Sequence, residues 1–231
     1  SWKGLIRLEG LDLPHFAADA PPVELTGRIE TRGDLQNATV NGTLGGKAPD
    51  LPDFGHLEAS LDLGWQGRVL TLRTLDLRES VSGALLTLAG RLDLGQEPLG
   101  FEVKGAWERL RWPLSGELLA ESPKGSLDAS GNLDAFGYTL SALAQGPGIP
   151  AMDLGLAGTG DRERTRIEPL AVRTLDGTLT ATGDLAWVPE VTWDLKLLGQ
   201  DLNPAGVAPG MEDRLGLSLH TQGGLAGFQY R

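Results

Sequence analysis

Apolar and polar residues alternate with a period of two in stretch after stretch of this chain. Leu57, Ala59, Leu61, Leu63 and Trp65 share one parity, and Glu58, Ser60, Asp62 and Gly64 take the other. The pattern returns at Ala84-Leu86-Leu88-Gly90-Leu92-Leu94, Leu99-Phe101-Val103 and Leu127-Ala129-Gly131-Leu133. Further on it returns at Leu179-Ala181-Gly183-Leu185-Trp187, Val191-Trp193-Leu195-Leu197 and Leu215-Leu217-Leu219. Successive side chains of a strand point to opposite faces, so each stretch makes one greasy face and one wet face. The pattern predicts an all-β protein of about 12 to 15 strands. One continuous apolar surface runs through it.

Proline- and glycine-rich interruptions are expected to separate the strands at roughly 14–22 (Pro14, Pro21, Pro22), 45–55 (Pro49, Pro52), 111–124 (Pro113, Pro123), 146–150 (Pro147, Pro150) and 201–213 (Pro204, Pro209). The 33 glycines, about twice the usual share, disfavour long helices. Gly90, Gly131 and Gly183 occupy inward strand positions, where glycine marks a bend, a bulge or a close approach. Asp176-Gly177 signals a hairpin with a type I′ turn, and Ser82-Gly83 takes the corresponding place in an earlier copy. Gly116 to Glu121 reads as a connector between prolines.

The copies are repeats. Leu72-x-x-Leu75-x-Leu77, a glycine turn and Ala84 to Leu94 run parallel to Ile167-x-x-Leu170-x-Val172, Asp176-Gly177 and Thr178 to Trp187, about 95 residues later. An aromatic-led strand follows each, from Phe101 and from Trp193. The second copy closes with Leu195-x-Leu197-x-Gly199-x-Asp201-Leu202, and the chain opens with Ile6-x-Leu8-x-Gly10-x-Asp12-Leu13. Both ends thus cut into the pattern, and the chain reads as a single continuous segment (1–231) of a longer protein, with approximate repeat units 1–55, 56–150 and 151–231.

Composition removes several function classes. A net charge of −11 argues against nucleic acid, which needs clustered Lys and Arg; the densest stretch, Arg162 to Arg166, is interrupted by Glu163. Zero cysteines remove disulfides and thiol chemistry. No run of 18 apolar residues is present to span a membrane as a helix. His15, His56 and His220 lack metal-ligand spacing, and the carboxylates Glu58, Asp62, Asp93, Glu102, Asp128 and Asp194 sit on the polar parity, where they solubilise a face. Gly155-x-x-Gly158-x-Gly160 opens no helix, so it is no phosphate loop. No catalytic residue, metal or cofactor is called, and the chain reads as a non-enzyme. Of the six tryptophans, Trp65, Trp187 and Trp193 lie on the apolar parity and pack with leucines.

Leu110-Arg111-Trp112-Pro113-Leu114 and the Ser122 to Asp134 stretch that follows resemble the central repeats of the TamB family, the inner-membrane subunit of a Gram-negative translocation and assembly module. Tyr138-x-Leu140, Gly146-Pro147-x-x-Pro150, Gly158-x-Gly160, Leu175-Asp176-Gly177 and Trp187-x-Pro189 to Trp193-Asp194-Leu195 follow in the same order. The resemblance covers the whole chain, most densely 100–204. It implies a periplasmic piece from the middle of a longer, inner-membrane-anchored protein, grouped with AsmA-like and bridge-type lipid-transfer proteins. It implies a sheet curled into a U-shaped apolar trough, an outer-membrane barrel partner, TamA, and roles in phospholipid transport and outer-membrane protein assembly.

Pattern and resemblance meet in a groove for phospholipid acyl chains. Exposing an acyl chain of ~16 carbons to water costs on the order of 13 kcal/mol at ~0.8 kcal/mol per CH₂, and a greasy lining removes most of that. The expected lining is Leu57, Leu61, Leu63, Trp65, Leu86, Leu88, Leu92, Leu94, Phe101, Val103, Leu127, Leu133, Leu140, Leu154, Leu156, Leu179, Leu185, Trp187, Val191, Trp193, Leu195, Leu197, Leu217 and Leu219. A second reading is a chaperone or scaffold for outer-membrane β-barrel proteins that receives strands at an open edge. A third is a glycan-binding sheet with tryptophans and acids on a polar face. Open edges also predict edge-to-edge self-association of the fragment.

Overall fold

The computed structural model describes residues 1–12, 24–47, 55–114, 116–206, 210–211, 213–224 and 227–230. They form fifteen strands: β1 (Trp2–Asp12), β2 (Glu24–Gly33), β3 (Asn37–Lys47), β4 (Leu57–Gln66), β5 (Val69–Glu79), β6 (Leu85–Asp93), β7 (Gly100–Trp112), β8 (Ala120–Asn132), β9 (Ala135–Gly146), β10 (Ile149–Gly160), β11 (Arg164–Thr174), β12 (Gly177–Ala186), β13 (Thr192–Leu202), β14 (Leu215–Gly224) and β15 (Gly227–Tyr230). One 3-10 turn, Pro204–Gly206, is the only helical element among the described residues. Strand order in the sheet follows chain order, β1 to β15, and every pairing with a described register is antiparallel. The all-β expectation is met. His15, Leu13, Pro14, Pro21, Pro22, Pro49, Pro52 and Pro209 lie outside the described residues. The chain forms two compact units, Ser1–Lys124 and Gly125–Arg231.

Wherever the alternation in the sequence breaks as apolar-x-x-apolar, the structure has a β-bulge. In β5 the register slips between Leu72 and Leu75, and in β11 between Ile167 and Leu170, against both neighbouring strands. An extra residue there restores parity, so Leu70, Leu72, Leu75 and Leu77 all face the same way. Gly90 and Gly183 pair with Leu72 and Ile167 at these bulges. Pro169 stands in the second bulge, where its missing N–H breaks no ladder. Pro123 and Pro150 also fall within strands, β8 and β10, so the interruptions around them are narrower than the expected 111–124 and 146–150.

A second kind of bulge marks β1 and β13, where register slips between Leu8 and Leu11 and between Gly199 and Leu202. Gly10 and Asp201 take positive φ there, and Arg109 does so near the end of β7. Each lies eight residues after an aromatic: Trp2, Phe101 and Trp193. The bulges thus place β1, β7 and β13 in register as copies six strands apart. The opening phrase Ile6-x-Leu8-x-Gly10 corresponds to Leu197-x-Gly199-x-Asp201, two residues away from the match the wording suggests.

The β11–β12 hairpin corrects another detail. Its central residues are Leu175 and Asp176, with φ of 50° and 57°, and Gly177 already belongs to β12 opposite Thr174. This is a type I′ geometry built on a non-glycine pair. The glycine serves the neighbouring strand instead, since a Cβ on Gly177 would sit 2.5 Å from the Gln200 carbonyl oxygen. Asn203 fastens the turn: its N–H donates to the Leu175 carbonyl (2.7 Å) and its side-chain amide to Asp176 (3.1 Å).

The β5–β6 turn is held differently. Glu79 is only 6% exposed, and its carboxylate accepts the N–H groups of Gly55 (2.8 Å), Val81 (2.7 Å) and Ser82 (2.6 Å), and the Ser82 hydroxyl. Burial pushes the Glu79 pKa up, but the donors together outweigh it and hold the group below the usual carboxylate range. The lock's contribution is therefore full above the ordinary Glu range and fades as pH falls through the lowered folded value. Glu79→Ala, with three N–H groups losing their acceptor, is expected to cost about 1–3 kcal/mol in urea unfolding at neutral pH. Most of that difference should vanish at a pH below the folded pKa.

Candidate functional site: an uncovered apolar face

Cross-strand register turns the parities into rows. In the first unit, one face carries Trp2, Gly33, Ala38, Trp65, Leu70, Leu92 and Phe101 across β1 to β7. The next rows are Gly4, Thr31, Val40, Leu63, Leu72, Gly90, Val103, then Ile6, Ile29, Gly42, Leu61, Leu75, Leu88, Gly105, then Leu8, Gly27, Leu44, Ala59, Leu77, Leu86, Trp107. The opposite face carries rows such as Arg7, Arg28, Thr43, Ser60, Asp76, Thr87 and Ala106.

In the second unit the apolar rows across β9 to β14 are Ala142, Leu154, Val172, Leu179, Gly199, Leu217, then Leu140, Leu156, Leu170, Ala181, Leu197, Leu219. Tyr138, Gly158, Ile167, Gly183, Leu195, Thr221 and Phe136, Gly160, Thr165, Leu185, Trp193, Gly223 complete the face. Aromatic side chains lie over glycines of the next strand. A Cβ on Gly158 would stand 2.5 Å from the Tyr138 hydroxyl, and one on Gly160 2.7 Å from the Phe136 ring.

Several polar groups on this face are paired across strands. Tyr138 OH and Thr165 Oγ1 share a hydrogen bond of 2.7 Å; Trp193 Nε1 donates to Thr221 Oγ1 (3.2 Å), and Trp107 Nε1 to Ser122 Oγ (2.8 Å). Their donors are spent within the sheet, which leaves the face effectively apolar.

The rows hold most of the expected lining positions. Leu57 pairs with Gly46 in the adjoining row, and Leu127 lies on β8. Leu94, Leu133, Trp187 and Val191 fall outside strands, in or beside turns. Leu133 is 42% and Trp187 41% exposed, and Trp187 is tied down by Nε1 donating to the Arg162 carbonyl (2.8 Å). Val103 and Leu217 lie in the rows yet are exposed, and the remaining members are half-buried. Gly131 is exposed close to the β8–β9 turn.

None of these side chains is sealed. Among the described residues, the buried apolar ones are Val172, Ala181 and Leu202, and no side chain is fully buried. A second layer packed on this face would have buried whole rows of leucines. The face is uncovered. Large exposed apolar patches on water-facing proteins mark binding surfaces.

The smaller hollows lie on the polar face. One of about 730 Å³ is lined by residues including Lys3, Arg32, Thr39, Thr71 and Arg73, and one of about 490 Å³ by Thr26, Thr43, His56, Glu58 and Asp76 among others. No group of three or more His, Asp or Glu placed to hold a metal occurs among the described residues. His56 has a buried Nδ1 without a partner among them. His220 does have a carboxylate partner, which linear spacing missed: its Nε2 is 2.7 Å from Asp194 Oδ1, two strand steps apart on adjacent β13 and β14. Both side chains are solvent-accessible, so the pair is a surface contact of small energetic weight.

Open antiparallel sheets with an uncovered apolar face define a class of groove-forming proteins. The family comparison agrees: the model of the TamB N-terminal domain matches residues 39–230, and the chain belongs to the TamB family. That is a family of transport and assembly components of the Gram-negative envelope. No solved structure matches the chain.

An uncovered face predicts an unusual mutational response. Leu61→Ala or Leu88→Ala removes methylenes without leaving a closed cavity, so only the transfer term is lost. The expected cost is about 1–2 kcal/mol in denaturant unfolding, against roughly 3–5 kcal/mol for Leu→Ala in a sealed core.

Proposed function

We propose that this chain is one continuous section of a non-enzymatic periplasmic bridge whose apolar face shields phospholipid acyl chains in transit between the inner and outer membranes. The observation that carries the reading is the set of unbroken apolar rows with no second layer over them. The lining positions named above are the proposed contact residues. Their leucine-rich, internally satisfied character suits chains of varying length rather than one recognised molecule. Within the family's module, the partner would be the outer-membrane barrel TamA, and outer-membrane protein assembly would benefit from the same delivery.

The test places a charge in the rows. In the full-length protein, Leu88→Asp or Leu195→Arg is expected to fold, because a side chain on an open face keeps part of its hydration, and to lose lipid delivery. Asp194 is paired with His220, so Lys196→Glu on the exposed face is the cleaner control and should deliver normally. A folded lining variant with normal delivery contradicts the conduit. Unfolding of both variants contradicts the open face, since an unpaired charge in a closed core costs several kcal/mol.

A further inference from the structure

On the polar face of the first unit, Lys3 of β1 and Arg32 of β2 are direct cross-strand partners. Like charges placed opposite one another destabilise a sheet. Several other cations on these faces meet carboxylates: Arg28 (itself opposite Arg7) with Glu30, Arg73 with Asp62, Arg166 with Asp184, Arg173 with Asp153. Lys3 and Arg32 have no such partner among the described residues, although the chain holds 31 acidic residues against 20 basic ones. Both are exposed.

The pair borders the hollow of about 730 Å³. Thr39, paired with Arg32, and Thr71 continue the same row into it, each with a hydroxyl. Arg73 also borders it, with its charge already met by Asp62; its guanidinium lies against Gly64, where a Cβ would stand 2.7 Å from it. The one carboxylate on the rim, Asp34, is committed to its own turn, accepting the N–H groups of Gln36 and Asn37 at 2.9 Å each.

We propose that this hollow is a binding site for a phosphate group, with Lys3 and Arg32 as its principal ligands and the Thr71 hydroxyl as a supporting donor. An anion between the two cations converts their repulsion into two attractions. Arginine's planar fork matches phosphate oxygens, and the charge-assisted bonds exceed neutral ones in strength. The site lies on the opposite face from the apolar rows and stands independently of the acyl-chain reading.

The test is an amide NMR titration of the isotope-labelled 231-residue chain, its N-terminus acetylated to remove the α-amino charge. Two probes are used: inorganic phosphate, and dihexanoyl phosphatidylglycerol below its micelle concentration. Saturable shifts are expected at Lys3, Arg32, Thr39, Thr71 and Arg73, weakening as salt rises. Lys3→Gln/Arg32→Gln, exposed changes that leave the remaining spectrum in place, should weaken binding at least tenfold; Lys196→Gln should not. Tighter binding of the lipid assigns the site to headgroups, and equal or tighter binding of phosphate assigns it to the free ion. Absence of saturable shifts with either probe, or equal binding by the double variant, overturns the site.

Discussion

A strand has a period of two, so a single extra residue turns every later side chain to the opposite face. Holding one apolar face along a strand whose alternation breaks therefore needs a device for resetting parity within that strand. Here the device is the bulge. It appears in β5 and β11 at Leu72-x-x-Leu75 and Ile167-x-x-Leu170, and in β1 and β13 where a positive-φ residue precedes Leu11 and Leu202. Without these steps half of each of those four strands would turn its leucines to water. The rows cross β1, β5, β11 and β13 unbroken because of them.

The same economy explains what the face lacks. The hydroxyls of Tyr138 and Thr165, and the indole N–H groups of Trp107 and Trp193, are matched with partners across strands, which lowers the hydrogen-bonding demand of the surface. A surface of that kind distinguishes poorly between ligands of one chemical class and well between classes. Stability has to come from elsewhere, since a single-layered sheet buries few side chains. Backbone ladders supply much of it, and local locks such as Glu79 and Asn203 fix the hairpins that keep the ladders in register.

The period-two pattern made the strands from β4 to β7 and from β12 to β14 legible from the residues alone, with the parity of Leu61, Leu88 and Leu195 attached. Less was visible where proline sat inside a strand, as at Pro123, Pro150 and Pro169, because prolines at bulges and irregular positions look in sequence like breaks. The hairpin at Asp176-Gly177 was placed one residue late for a related reason: the glycine answers to the adjacent Gln200 carbonyl, a neighbour that no local signal reveals. Cross-strand relations were hidden in the same way. His220 and Asp194 are 26 residues apart, Glu79 and Gly55 24, and Lys3 and Arg32 become partners only when β1 and β2 are laid side by side.

The proposed bridge requires the apolar rows to touch acyl chains while the protein works. A photo-crosslinking residue placed at Leu61, Leu88 or Leu195 in the full-length protein in cells, with Asp62 and Lys196 as positions on the other face, addresses it directly. Mass spectrometry of the adducts should show phospholipid at the three row positions and little at the two controls. Peptide adducts in place of lipid at Leu61, Leu88 and Leu195, or equal lipid labelling on both faces, would contradict the account.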